Sequence, residues 1–338
     1  MKYFNCNDKP FEMHGLYKFD ETGSFDRLPE HVKASAKCAA SMSAFSVGAR
    51  LCFRTNSKHV YLQMKSKPTT FTAGMSACAG QSLHALFGDR ANPFYAGAWT
   101  LSPIGATEVK GTTPFIKKQG DDEVTVYLPR NAVVEDIIVG LDDDAQVWAP
   151  TPFNYAPIVY YGSSITAGGS CSAPFCAYTA IISHHLNVDY YNFGFSGACM
   201  GEIALAEYFA KIPMSIFVYD YDHNAPDVEF LKKTHEPFLK KFREFAPNVP
   251  VVMISKPDCF GFDIEKERRQ VILSTYNSAK SAGDKNVYFI DGGEFFGDKD
   301  RYACTVDCLH PNDVGHRRMA EHIEPVIKSI LENIYKAN

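Results

Sequence analysis

The chain has 338 residues, 46% apolar, 22% charged and 13% aromatic, an ordinary globular profile that excludes disordered, collagen-like and coiled-coil chains. Its 34 basic and 39 acidic residues leave a net charge of −5, which argues against nucleic acid or an anionic membrane surface as partner. No apolar run approaches the roughly 18 residues of a membrane span, and the opening MKYFNCNDKPFEMHGLYKF is polar where a secretion signal would be apolar, so the chain reads as cytoplasmic.

Apolar residues in the first half alternate with period two. They run through Leu51 and Phe53, then Val60, Leu62 and Met64 across a Thr55-Asn56-Ser57-Lys58 turn. The same texture returns at Val124, Val126 and Leu128 and around Ile137, Ile138 and Val139. Period two predicts strands with one buried face and one facing out, and a β-sandwich or jelly-roll over residues 1–148 fits. Asp142-Asp143-Asp144 lacks a calcium-loop pattern and reads as a solvated hairpin turn. Trp99 and Trp148 are read as packing residues, though either could face a sugar ring.

Residues 149–157 carry Pro150, Pro152 and Pro157, which stop helices and central strands, so the inter-domain connection is placed there. From 158 to 338, apolar strands are predicted at Ile158–Tyr161, Tyr190–Phe195, Ser215–Tyr219, Val251–Ser255 and Val287–Ile290, with helices between them. The last helix carries Ile323, Val326, Ile327, Ile330 and Ile334 on one face. Strand–helix alternation predicts a three-layer α/β domain with a parallel sheet, whose sites lie at the carboxyl ends of the strands.

Ten cysteines are too dilute for a disulfide framework, several (Cys52, Cys199, Cys259) fall inside regular segments, and a reducing compartment keeps them as thiols. Cys171-x4-Cys176 and Cys304-x3-Cys308 lack zinc-knuckle spacing, so no metal or cofactor is expected, and packing is the default for Cys171 and Cys308. His184-His185 falls near a helix end, where cations are favoured.

Polar groups cluster at the strand ends. Gly162-Ser163-Ser164 follows the first strand and presents a hydroxyl; Asn192-x-Gly194-x-x-Gly197 closes the second; Asp222-His223-Asn224-Ala225 follows the third. A serine nucleophile needs a base, and the base an orienting carboxylate, which Asp-x-x-His supplies from one turn. Three such pairs occur: Asp220/His223, Asp307/His310 and Asp313/His316. Asp307/His310 is preferred because it precedes Pro311, where a final helix begins, and so falls in a loop. Asp313/His316 would sit on an exposed helix face, and Asp220/His223 abuts Asn224.

Gly162-Ser163-Ser164-Ile165-Thr166, Asn192-x-Gly194-x-x-Gly197, Asn224 and Asp307-x-x-His310, in that order, resemble the SGNH (GDSL-like) esterases. The phrases DYDHNAP, SKPD at 255–258 and DCLHPNDVGH, with a β-sandwich in front, are similar to family 2 carbohydrate esterases, so the resemblance spans nearly the whole chain. It implies Ser164 as nucleophile, His310 as general base then acid, and Asp307 as its orienter. It also implies an oxyanion hole from the Ser164 N–H, the Gly197 N–H and the Asn224 side chain. Two positions depart from the family pattern: Ser163 replaces an aspartate, and Asp222-His223-Asn224-Ala225 replaces Gly-x-Asn-Asp. The resemblance implies a serine esterase acting on O-acetylated oligosaccharides. A longer-chain lipase or thioesterase, an inactive carbohydrate-binding protein, and a homo-oligomer all stay open.

Overall fold

Strand-forming runs dominate the first 148 residues, in a computed structural model that describes residues 1–68, 74–100, 106–110, 114–118, 122–257 and 262–337. Asp258 of the SKPD phrase and Cys259 lie outside the described residues. In chain order the elements are β1 (Lys2–Asn5), β2 (Glu12–His14), α1 (Phe19–Thr22), α2 (Glu30–Ser35), α3 (Lys37–Ser43), β3 (Arg50–Thr55) and β4 (His59–Ser66). There follow α4 (Ala77–Gln81), β5 (Ser82–Phe87), β6 (Phe94–Thr100), β7 (Glu108–Lys110), β8 (Phe115–Ile116), β9 (Glu123–Tyr127), β10 (Val134–Leu141) and β11 (Val147–Trp148). One antiparallel sheet runs β1-β10-β4-β7, with β8 also on β4; the other runs β11-β3-β9-β5-β6, with β2 also on β3. Leu51, Phe53, Val60, Leu62, Met64, Val124, Val126, Leu128, Ile137 and Val139 meet between the two sheets, forming a sandwich core.

Strict alternation holds on β4, where Val60, Leu62 and Met64 are buried and Lys65 is exposed. It fails on β3, where Arg50, Leu51, Cys52 and Phe53 are all buried. The reason is that the outer face of that sheet is covered by the rest of the chain. Arg50 and His14 both reach the Asp189 carboxylate, the latter at 2.7 Å. Tyr127 Oη meets His184 Nε2 at 2.9 Å, and the Arg50 guanidinium lies 4.0 Å above the Tyr190 ring. The Thr55–Lys58 turn joins two different sheets. Asp142 holds it, accepting from Ser57 Oγ and the Lys58 N–H at 3.0 Å and the His59 N–H at 3.1 Å. Asp142 is therefore a connector between the sheets rather than part of a solvated hairpin.

Residues 149–157 form no helix or strand. After them come β12 (Ile158–Gly162), α5 (Tyr178–Leu186), β13 (Tyr190–Gly194), α6 (Ile203–Phe209), β14 (Ile216–Asp220), α7 (Val228–Phe245), β15 (Val251–Ile254), α8 (Asp263–Ser281), β16 (Val287–Ile290) and α9 (Asp313–Ala337). The five strands form a parallel sheet in the order β13-β12-β14-β15-β16. Near-continuous apolar strands such as IFVYD of β14 are buried on both faces because helices cover both sides. α6, α7 and α8 cover one face. α5 and α9 cover the other, with Ile323, Ile327 and Ile330 of α9 buried in it. The order reverses between β13 and β14, on either side of β12, and open α/β sheets place ligands outside the strand ends at such a reversal.

The early helices are the main departure from an all-strand reading of the first half. Leu28, Val32, Ala36 and Ala39 pack into the α6–α7 layer, and Glu202, just before α6, accepts from the Cys38 and Ala39 N–H groups at 3.2 Å, capping α3 across the chain.

Candidate active site

The end of β12 is crowded by design of its small residues. A Cβ at Gly162 would collide with the Thr166 side chain and the Asp220 carbonyl, so only glycine lets β12 and β14 end this close together. The chain then turns helically, with Ala167 N–H bonding Ser163 O at 3.1 Å and Gly169 N–H bonding Ser164 O at 2.7 Å. Ser163 accepts from the Ile165 N–H at 3.1 Å, a turn role that a serine fills as well as an aspartate.

On this turn, Ser164 Oγ lies 2.8 Å from His310 Nε2, and His310 Nδ1 lies 2.7 Å from Asp307 Oδ2. Asp307 Oδ1 also accepts the backbone N–H groups of Leu309 at 3.1 Å and His310 at 2.7 Å. Folding the loop onto its own aspartate forces Cys308 to φ 69, which leaves that thiol exposed rather than packed. Partial burial pushes the Asp307 carboxyl up, but the His310 backbone N–H, its ring N–H and its charge outweigh this and hold it below the usual range. The carboxylate is thus ionised and fixes the Nδ1–H tautomer, leaving Nε2 to accept from Ser164. Pro311 precedes the helix rather than opening it: Asn312 Oδ1 caps α9, accepting from Val314 N–H at 3.0 Å and Gly315 N–H at 3.2 Å.

The other two Asp-x-x-His pairs are not pairs in space. Asp220 Oδ2 accepts from Thr166 Oγ1 at 2.7 Å and Tyr178 Oη at 2.9 Å, and burial pushes its pKa up to about 7 against those donors. Asp313 accepts from the Ser172 N–H at 2.8 Å and Ser172 Oγ at 2.5 Å. His316 is fully buried, not on an exposed helix face, because α9 lays its first turn against Tyr178, whose ring stacks on it at 6.0 Å.

Gly169 is a site residue the sequence reading missed. A Cβ there would lie 2.9 Å from Ser164 O and 3.2 Å from His310 Cδ2. The Gly168-Gly169 doublet one turn after Ser164 was the available signal. Gly169→Ala is expected to displace serine and imidazole together and to cost about 10²-fold in kcat, since misplacements near 1 Å cost that much. Steady-state kinetics beside a melting curve check it: a loss of activity in protein still folded at the assay temperature, with a lowered Tm, is the expected pattern.

The three donor groups read from the sequence remain free to donate in the structure. Among the described residues, neither the Ser164 nor the Gly197 backbone N–H has an intramolecular partner, and Gly197 sits at φ +69 with open space around it. Asn224 Oδ1 accepts from Cys199 N–H at 3.3 Å, which leaves its Nδ2 to donate. The altered block around Asn224 has its own support. Arg268 of α8 donates to Asp222 O at 2.7 Å and Ala225 O at 2.9 Å, clamping the two residues between them. Asp222 accepts the Lys256 N–H at 2.9 Å, which gives the SKP phrase a role; burial lifts its pKa to about 6. His223 is held neutral, its pKa pushed down to about 4 by burial and then by the charges of Lys256 and His310.

Elsewhere, His184 is not a helix-end cation. It bridges Arg90 O at 2.8 Å and Tyr127 Oη at 2.9 Å, and burial first, then nearby positive charge, lowers its pKa to about 4. Trp99 packs edge-on against Phe115 at 5.6 Å, whereas Trp148 is 39% exposed. The nine described cysteines are free thiols, and no metal-ligand cluster occurs among the described residues.

Residues 155–328 match the GDSL-like lipase/acylhydrolase family and residues 1–147 match GxDLY, the N-terminus of the SGNH-hydrolase type of esterase. The chain belongs to the GDSL-like lipase/acylhydrolase family, whose members cleave esters. A Bacteroides ovatus protein classed as a GDSL-like lipase is 25% identical, with a TM-score of 0.86 over 98% of both chains. A salicylyl-acyltransferase from a tetracycline biosynthetic pathway is 19% identical, with a TM-score of 0.78 over 97% of both. An acetyl xylan esterase from Butyrivibrio proteoclasticus is 14% identical, with a TM-score of 0.59 over 98% of this chain and 100% of its own. No curated protein matches the sequence.

Proposed function

We propose that the protein is a serine esterase that removes O-acetyl groups from oligosaccharides. The observation that carries the ester-cleaving part is the Ser164–His310–Asp307 hydrogen-bonded chain at the carboxyl edge of the parallel sheet. The acetyl and carbohydrate parts draw on the likeness in fold to an acetyl xylan esterase and on the resemblance of the motifs to family 2 carbohydrate esterases. Ser164 Oγ attacks the acetyl carbonyl while its proton passes to His310 Nε2. The tetrahedral oxyanion takes the Ser164 and Gly197 N–H groups and Asn224 Nδ2. Collapse expels the sugar oxygen, which His310 protonates; water, deprotonated by His310, then releases acetate from Ser164.

Acetate release from acetylated xylo- and manno-oligosaccharides, with aryl acetate and aryl octanoate alongside, tests the reading. Ser164-dependent release from the oligosaccharides supports it. A steep preference for octanoate would favour the lipase reading, which the Bacteroides ovatus relative supports.

Asn224→Ala is expected to lose about 10²–10³ in kcat with little change in KM, the cost of one oxyanion donor. Arg268→Met should lose part of that by freeing the 222–225 loop. In the Asn224→Ala background, the Arg268 effect on kcat should vanish; a full additive loss would show that Arg268 acts independently of Asn224.

A further inference from the structure

Arg130, in the turn after β9, is 3% exposed, and its Nε, Nη1 and Nη2 have no hydrogen-bond partner among the described residues. Its backbone N–H bonds Ala79 O at 2.9 Å, so the turn is fixed, yet the guanidinium it carries meets no carboxylate among the described residues. Burial lowers its pKa only to about 10, and it stays charged at neutral pH. A buried guanidinium without a counter-charge is strongly unfavourable.

A second orphaned donor belongs to the same hydrogen-bonded patch: the Ala79 N–H bonds Ser76 Oγ at 3.2 Å, Ser76 Oγ donates to Ser172 O at 3.0 Å, and Ser172 Oγ donates to Asp313, three residues before His316. His316 is 0% exposed, and its Nε2 is also without a partner among the described residues. Its Nδ1 accepts the Tyr178 N–H at 3.4 Å, so the ring, held neutral by burial and by the charge of Arg130, carries its proton on Nε2. Cys171, whose thiol feels the same guanidinium, is kept protonated by burial and lies against Gly168 of the nucleophile turn. Arg130 and His316 Nε2 both offer donors and no acceptor. Water could serve single N–H groups but would leave the charge in place.

We propose that Arg130 and the Nε2–H of His316 hold a small monovalent anion, a halide or a short carboxylate, buried behind the nucleophile turn. The near-complete burial of both residues sets the size limit. The anion offsets the positive field of Arg130 in the region where His310 becomes an imidazolium, since the charges of Arg130 and His310 both act on His316. The class includes acetate, the product of the proposed reaction, but the site does not depend on that reading.

The test is the melting temperature of the full chain against potassium chloride, acetate and gluconate at constant ionic strength, for wild type and Arg130→Met. The expected wild-type result is a saturable response to chloride or acetate, with Tm rising about 3 °C per tenfold above Kd, and none to the bulkier gluconate. The arm that responds at lower concentration identifies halide or carboxylate. Arg130→Met should lose the response and, freed of an unpaired charge, fold without the anion. Equal shifts with all three salts, no shift, or a response retained in Arg130→Met would overturn the proposal. Should Arg130→Met fail to fold, the wild-type contrast between small anions and gluconate decides.

Discussion

Replacing Ser164 by alanine is expected to lower kcat by about four to six orders of magnitude, the cost of removing a nucleophile from a working triad. Ser164 Oγ is the hydroxyl that meets His310 Nε2, at 2.8 Å; Ser163, next to it, has its hydroxyl engaged by the Ile165 N–H and is almost fully buried. The remaining rate would come from the oxyanion donors and substrate positioning alone, about 10³-fold over water. Stability should change little, because the lost hydroxyl leaves one partly accessible imidazole nitrogen to be met by water. Assays on aryl acetate with Ser164→Ala and Ser163→Ala side by side give the comparison: a large loss for the first and a small one for the second.

His310→Ala is expected to fall nearly as far, because the serine then has no base and the leaving oxygen no acid. Gly169 lies against the imidazole edge, so the substitution leaves a space open to the loop, and added imidazole should restore about ten- to a hundredfold of the lost rate. Asp307→Asn should cost less. The Asp307 side chain is 43% exposed, so its charge is partly screened by water, while its tautomer-fixing bond to Nδ1 would be replaced by a poor one. The ordering Ser164→Ala ≥ His310→Ala > Asp307→Asn, with imidazole rescue confined to the second, is the signature of a triad acting as a unit.

The strands of the second half are legible in the sequence because a parallel sheet buried on both faces demands apolar runs bounded by turn residues. Ile158–Gly162 and Val287–Ile290 read directly as such. Period two is a weaker guide in the first half. It identifies β4, but β3 and β5 carry buried polar groups such as Arg50 and His84 on a face that only the docking of the two halves covers. The pairing of Asp307 with His310 is legible because it is local and loop-bound. The exposure assigned to His316 is not, since it depends on which face α9 turns to Tyr178. Arg268 could not be found from spacing: it reaches Asp222 across 46 residues, and nothing near it in sequence marks an arginine that grips a backbone carbonyl.

The proposed chemistry requires Ser164 to form the acyl-enzyme. Labelling the native protein with a fluorophosphonate and locating the adduct by peptide mass spectrometry tests it most directly. The expected result is stoichiometric labelling of Ser164, loss of esterase activity in step with it, and no labelling of Ser164→Ala or His310→Ala. An adduct on another residue that abolishes activity, or full activity with Ser164 modified, would contradict it.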